Sequence, residues 1–106
     1  MDDELRIVED ELPGGVCRLK LHGELDMIGA PEVEARLEEL ARGGLDVRLD
    51  LSELTFMDST GVRVLFGAAK ARDGEPGTLE IVRPVGEAWR VIELTGLQRV
   101  LPFVDD

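Results

Sequence analysis

A carboxylate and a hydroxyl stand next to each other at Asp58-Ser59, where the period of the hydrophobic pattern changes. Before this pair, apolar residues alternate with polar ones, as in a half-buried strand, at Val47, Leu49 and Leu51. After it, apolar residues recur at the spacing of one helix face, at Val62, Leu65, Phe66 and Ala69. Ser59 is therefore predicted to lie at the start of a helix. There, unpaired amides and the helix dipole favour an oxygen ligand or a negative charge, and a kinase could reach the hydroxyl.

Asp58 and Ser59 also have an ordinary structural explanation, because both residue types are preferred as helix N-caps. That explanation does not account for the two small residues that follow, Thr60 and Gly61. Glycine inside a helix lowers its stability, so its presence needs a reason. We interpret the small residues as room for the close approach of a partner's backbone or of a nucleotide phosphate.

The stretch from Phe56 to Val62 resembles the phosphorylation motif of bacterial anti-sigma factor antagonists, which are small STAS-domain proteins. Three further blocks follow the order of that family and extend the resemblance over nearly the whole chain: Leu21 to Asp26, Leu94 to Leu97, and Val100 to Pro102. The resemblance implies that Ser59 accepts phosphate from an anti-sigma factor that is also a GHKL-type serine kinase. Asp58 would be the acidic neighbour of the acceptor, and a phosphatase is a further candidate partner.

Two surfaces are expected to meet the partner. The resemblance assigns one to the segment Gly23 to Asp26, although Asp26 has the alternative role of capping the following helix, and both readings stay open. Gly29 departs from the hydroxyl residue that the family often has near the start of that helix. The second surface is the predicted outer face of the helix after Ser59, which is flat and apolar. The residues assigned to partner binding are Asp26, Asp58, Ser59, Thr60, Gly61, Val64 and Gly67.

Composition restricts the classes of function. The 106 residues are 43% hydrophobic, enough for one core, so we expect a single domain over residues 1–106. The formal charge of -11 and the 4% aromatic content argue against direct binding to nucleic acid. Cys17 is predicted to face the core, and a single histidine leaves no usual metal-binding set. The acidic start at Met1-Asp2-Asp3 is unlike a secretory signal, and charged residues interrupt the most apolar helix. We therefore expect a cytoplasmic protein without membrane insertion.

Turn signals divide the chain into strands and helices. The first two strands are predicted as a hairpin of residues 5–9 and 16–22 around Pro13-Gly14-Gly15. A helix should begin at Ala30-Pro31 and end at Gly43-Gly44, and a later one should cover residues 85–94. Short strands are predicted at residues 79–82 and 103–104. This order predicts an α/β fold with a mixed sheet of four to five strands and helices packed mainly on one face, as the STAS resemblance also implies.

The sequence is compatible with three classes of function to different degrees. The first is partner switching, in which the unphosphorylated protein binds the anti-sigma factor, releases a sigma factor, and loses this binding when Ser59 is phosphorylated. The second is a STAS scaffold subunit of a sensory or lipid-transport complex that binds protein without a phosphate switch. A hydrolase using His22, Asp58 and Ser59 is disfavoured because no Gly-x-Ser-x-Gly turn surrounds the serine. We predict partner switching by a monomer or weak dimer, with no catalytic residue, cofactor or metal.

Overall fold

A computed structural model describes residues 4–105, so Met1-Asp2-Asp3 and Asp106 lie outside it. The strands of this part of the chain are β1 (Arg6–Leu12), β2 (Val16–Leu25), β3 (Val47–Met57), β4 (Leu79–Val82) and β5 (Phe103–Val104). The α-helices are α1 (Ala30–Arg42), α2 (Ser59–Lys70) and α3 (Gly86–Thr95), and a short 3₁₀ turn covers Leu97–Arg99. None of these helices is long and apolar enough to span a membrane.

The strands form one mixed sheet in the order β1-β2-β3-β4-β5, which confirms the predicted architecture. β1 and β2 are antiparallel and joined at the predicted Pro13-Gly14-Gly15 turn, where both glycines have positive φ. The other neighbouring pairs are parallel. Parallel strands have their carboxyl ends at the same edge of a sheet. The segments that follow β2, β3 and β4 therefore leave the sheet along one edge.

One face of the sheet is covered by the helices. Along β2, Leu19 and Leu21 are fully buried, whereas the alternating residues Arg18 and Lys20 are half-buried. The helices contribute apolar side chains to the same core, namely Val33, Leu37 and Leu40 from α1, Val64 and Leu65 from α2, and Ala88 and Ile92 from α3. The opposite face carries charged pairs across the strands, such as the 2.7 Å ion pair between Arg18 and Asp10.

Most element boundaries agree with the sequence predictions. Gly43 caps the end of α1, and Gly96 ends α3 with a φ of 78°, a left-handed conformation that glycine adopts without steric cost. The strand at residues 79–82 and the edge strand at 103–104 are confirmed. The hairpin strands are longer than predicted, and β2 continues to Leu25. His22 therefore lies inside β2 instead of ending it, and much of the predicted partner-binding segment is strand.

Cys17 packs against the core on one side of β2, as its alternation with Leu19 predicts. Its thiol donates a long hydrogen bond of 3.6 Å to Glu9 Oε2 on β1. Partial burial and the neighbouring Glu9 carboxylate raise the pKa of this thiol. A thiol with a raised pKa is mostly protonated near neutral pH and therefore a weak nucleophile, which agrees with a packing role.

Candidate functional site around Ser59

Asp58 is the N-cap of α2. Its Oδ1 accepts hydrogen bonds from the amides of Thr60 at 2.9 Å and Gly61 at 3.3 Å. Its own amide donates to the carbonyl of Leu25 at 3.4 Å, which ties the start of α2 to the end of β2. The ordinary structural explanation thus accounts for the Asp58 carboxylate, which fixes the direction in which α2 leaves the sheet.

Ser59 is the first residue of α2, and its side chain is exposed. The amides of the first turn are less available than the sequence suggested. Thr60 and Gly61 donate to the Asp58 side chain, and Val62 donates to the Asp58 carbonyl at 3.2 Å. A group attached to the Ser59 oxygen therefore meets the positive end of the helix, but not a set of three unpaired amides.

Gly61 is buried, and its environment gives a reason for glycine at this position. A Cβ atom here would lie 2.9 Å from the Cβ of Met57 and 3.2 Å from the carbonyl oxygen of Leu25. The absence of a side chain lets α2 pack directly on the ends of β2 and β3. The prediction that Gly61 makes room for a partner is therefore wrong, because the protein's own strands occupy that space.

Val64 is 1% exposed and belongs to the core, so its assignment to an outer, partner-binding face is also wrong. The buried stripe of α2 consists of Gly61, Val64, Leu65 and Ala68. It has the predicted helical spacing, but it begins one residue earlier than the stripe inferred from Val62. Phe66, which was predicted to point inward, is 50% exposed. The stripe is rotated because α2 packs on α1 as well as on the sheet, and Val64 and Ala68 lie close to Leu37 of α1.

The exposed face of α2 is therefore different from the predicted one. Its exposed residues are Ser59, Arg63, Phe66, Gly67 and Lys70. Gly67 does lie on the surface as predicted, and a Cβ atom there would meet no atom within 4 Å. Sequence reasoning missed the exposure of Phe66, since a large aromatic side chain at helical spacing is usually assigned to the core.

The segment after β2 lies beside the start of α2, because Leu25 and Met57 are paired in the sheet. The Oδ1 atom of Asp26 accepts hydrogen bonds from the amides of Ile28 at 3.1 Å and Gly29 at 3.4 Å. This turn supports the capping alternative for Asp26, although Gly29, not Asp26, is the N-cap residue of α1. The partner-binding role of Asp26 stays a prediction.

Two details of this segment were not foreseen. Met27 and Ile28 are 74% and 86% exposed, so two large apolar side chains stand in solvent next to the site. Gly29 lies against Leu5, whose Cδ2 would be 2.7 Å from a Cβ atom at residue 29. A serine or threonine at this position would require the Leu5 side chain to shift.

Among residues 4–105, no arrangement of side chains supports the hydrolase triad or a metal site. His22 has no hydrogen bond to Asp58 or Ser59 in this part of the chain. Within the same residues, no group of three or more His, Cys, Asp or Glu side chains is arranged to hold a metal ion. The site offers an exposed hydroxyl at the start of a helix. The neighbouring Asp58 carboxylate caps that helix, and exposed apolar side chains border the site.

The mixed sheet, with a serine at the first residue of the capped helix that follows β3, is the arrangement of a STAS domain. A family model described as "Mlab, STAS domain" matches residues 8–103. The chain is 31% identical over 84 residues to the anti-sigma-B factor antagonist of Bacillus subtilis, covering 79% of this chain and 77% of that protein. It is 35% identical over 80 residues to that of Listeria monocytogenes, covering 74% and 70%. The chain belongs to the anti-sigma factor antagonist family of STAS-domain proteins.

Solved structures share the fold. An anti-sigma factor antagonist from Mycobacterium paratuberculosis has a TM-score of 0.84 and 26% identity, covering 98% of this chain and 88% of that one. The unphosphorylated form of the anti-sigma factor antagonist SpoIIAA has a TM-score of 0.79 and 20% identity, covering 95% and 88%. The phosphorylated form of SpoIIAA from Bacillus has a TM-score of 0.73 and 20% identity, covering 95% and 91%. The fold of this chain thus matches both forms.

Proposed function

We propose that this protein binds an anti-sigma factor that is also a GHKL-type serine kinase, and thereby releases a sigma factor from it. Phosphorylation of Ser59 by that kinase ends the binding, and a phosphatase restores it. One observation carries the proposal: the Ser59 hydroxyl is exposed at the first residue of α2, while the adjacent Asp58 carboxylate is engaged in capping. A kinase can therefore reach the hydroxyl without disturbing the cap.

The binding surface follows from exposure. Of the partner-binding residues predicted from the sequence, Ser59, Thr60 and Gly67 remain in this surface. The exposed ring of Phe66 joins them on α2. The turn of Asp26 contributes the apolar side chains of Met27 and Ile28 from the neighbouring segment. Large apolar and aromatic side chains are common anchors in protein interfaces, because their burial removes much apolar surface from water.

Two residues leave this surface. Gly61 and Val64 are buried by the protein itself and cannot contact a partner in the folded state. Asp58 acts indirectly, since its hydrogen bonds hold the first turn of α2 and so fix the position of Ser59.

The switch is electrostatic. A phosphate on Ser59 adds roughly two negative charges and three acceptor oxygens beside the Asp58 carboxylate. A partner surface that fits a neutral hydroxyl then faces repulsion and an unfavourable loss of phosphate hydration. A tenfold loss of affinity needs only about 1.4 kcal/mol, which one such charge change readily supplies.

The fold should survive this modification, because the phosphate projects into solvent at the positive end of a helix. We expect the melting temperature of the phosphorylated protein to stay within a few degrees of that of the unmodified protein. A much lower melting temperature, or the loss of dispersed amide signals in the NMR spectrum, would mean that the switch works by unfolding instead of repulsion.

The test of the acceptor uses the protein, its kinase and ATP. Mass spectrometry of the intact protein should find one added phosphate, and peptide analysis should place it on Ser59. Ser59→Ala should abolish the transfer, whereas the matched variant Thr60→Ala should be phosphorylated normally. A phosphate mainly on Thr60 would refute the assignment.

The scaffold alternative makes a different prediction for binding. Calorimetry should show that the phosphorylated protein binds the anti-sigma factor at least about ten times more weakly than the unmodified protein. A scaffold subunit would keep its partner whether Ser59 is phosphorylated or replaced by alanine. The matching family model is described as "Mlab, STAS domain" and not as an antagonist. Comparing the affinity of the phosphorylated and unmodified protein therefore decides between the switch and the scaffold.

A further inference from the structure

Arg63 lies one helical turn after Ser59 on the exposed face of α2. Residues four apart on a helix have Cβ atoms only about 5–6 Å apart. Helical side chains lean toward the amino terminus of their helix, so the geometry directs the guanidinium of Arg63 toward Ser59. Within residues 4–105, Arg63 has no hydrogen bond or ion pair with another side chain. It is therefore available to a new anion.

A phosphate on Ser59 would need a cation of this kind. The amides of Thr60 and Gly61 already donate to the Asp58 carboxylate, and that carboxylate adds a negative charge next to the phosphate. The other basic residue of α2 is Lys70, which is eleven residues after Ser59 and about 16 Å away along the helix axis. Arg63 is thus the basic residue that the helix places next to the phosphate.

We propose that Arg63 is the intramolecular counter-ion of phosphorylated Ser59. An anion four residues before a cation is the favourable order on a helix, since each charge then lies nearer the helix end that attracts it. Arginine also suits a phosphate group, because its planar guanidinium can donate two parallel hydrogen bonds to phosphate oxygens. This inference rests on the proposed phosphorylation of Ser59.

The pairing gives phosphorylation a second effect on the surface. In the unmodified protein, Arg63 is exposed on the same helix face as Ser59 and Phe66, so its guanidinium can pair with an acidic group of a partner. In the phosphorylated protein the guanidinium pairs with the phosphate instead. Phosphorylation therefore adds negative charge to the surface and withdraws a positive one.

The test measures the pKa of the phosphate in the isolated protein. Phosphoserine is incorporated at position 59 during translation, so no kinase is required, and ³¹P NMR follows its second ionisation, which usually occurs near about pH 6. Arg63→Gln should raise this pKa by about 0.2 to 0.4 units at low salt. Arg63→Lys should keep part of the effect, and about 0.5 M salt should remove most of it.

Two controls make the result decisive. Lys70→Gln removes an equal charge from the far end of α2 and should leave the phosphate pKa unchanged. The unphosphorylated Arg63→Gln protein should melt like the wild type, since Arg63 is exposed. An equal phosphate pKa in the wild type and in Arg63→Gln would overturn the proposal. A kinase that fails to modify Ser59 would refute the proposed function and leave this titration unaffected.

Discussion

Replacing Gly61 by alanine should destabilise the protein, although the same change inside a helix usually has the opposite effect. Alanine is favoured over glycine in a helix interior by roughly 0.5–1 kcal/mol. At position 61 the added Cβ atom would lie 2.9 Å from the Cβ of Met57 and 3.2 Å from the Leu25 carbonyl oxygen. Neither neighbour can move easily, since Met57 is fully buried and the Leu25 carbonyl belongs to β2 and accepts from the Asp58 amide.

The loss of stability in Gly61→Ala is the cost of overpacking minus the gain in helix propensity. Forcing an extra carbon into a packed core costs about 1–3 kcal/mol, which exceeds the gain in helix propensity. At the middle of both ranges, about 2 kcal/mol for the overpacking and about 0.75 kcal/mol for the propensity, the net loss is about 1.3 kcal/mol. For a domain of this size, one kcal/mol corresponds to roughly 4–8 °C in melting temperature. Gly61→Ala should therefore lower the melting temperature by several degrees.

Gly67→Ala provides the matched control. It makes the same change in the same helix, but a Cβ atom at position 67 would meet nothing within 4 Å. This variant should gain the full helix propensity, about 0.5–1 kcal/mol, and melt a few degrees higher than the wild type. Thermal and urea unfolding followed by circular dichroism would measure both variants. If Gly61→Ala also raises the melting temperature, the close packing of α2 on β2 and β3 is not as described.

Three further predictions concern single side chains. Val64→Glu should prevent folding or lower stability by more than about 3 kcal/mol, because it buries an unpaired charge, and a melting temperature near the wild-type value would contradict that burial. Phe66→Glu should change stability by only about 0.5 kcal/mol, while calorimetry should show at least tenfold weaker anti-sigma factor binding; unchanged affinity would remove Phe66 from the interface. Arg36 donates to Glu9 at 2.8 Å and lowers the pKa of that carboxyl below its ordinary value of 4.5. Since a lowered acid pKa contributes stability that is lost as pH falls through the folded-state value, Arg36→Gln should cost up to about 1 kcal/mol at pH 7 and nothing at strongly acidic pH. A cost that is equal at both pH values would show that the pair does not act through its charge.

The order of elements could be predicted because the chain marks its turns with residues that have few other structural uses. Pro13-Gly14-Gly15 and Gly96 stand where the backbone requires positive φ or a sharp change of direction. These signals are local, so they do not depend on what packs against the element. The capping role of Asp58 was foreseen for the same reason, since its partners are two and three residues away.

The orientation of α2 could not be predicted in the same way. Its buried stripe includes Gly61 and Ala68, which add little to a hydrophobic pattern, whereas the large exposed Phe66 dominates that pattern. Which residues face inward depends on α1, whose contact with α2 is not encoded in the sequence of α2 alone. The role of Gly61 was ambiguous from sequence because internal packing and partner approach both require a small residue.

The fit of Gly61 against Met57 and Leu25 means that two independent requirements, one of folding and one of the proposed phosphate switch, meet within four consecutive positions. Asp58 and Gly61 serve the capping and packing of α2 on these strands, independently of what the protein binds. Ser59 is exposed and lies outside this packing, so a substitution there should leave the architecture intact. Under the proposed switch, one nucleotide change at the codon for Ser59 would remove the regulation, while the gene would still encode a stable domain able to bind its partner. Among distant descendants, the aspartate and glycine would trace ancestry, and the hydroxyl would trace control by phosphate.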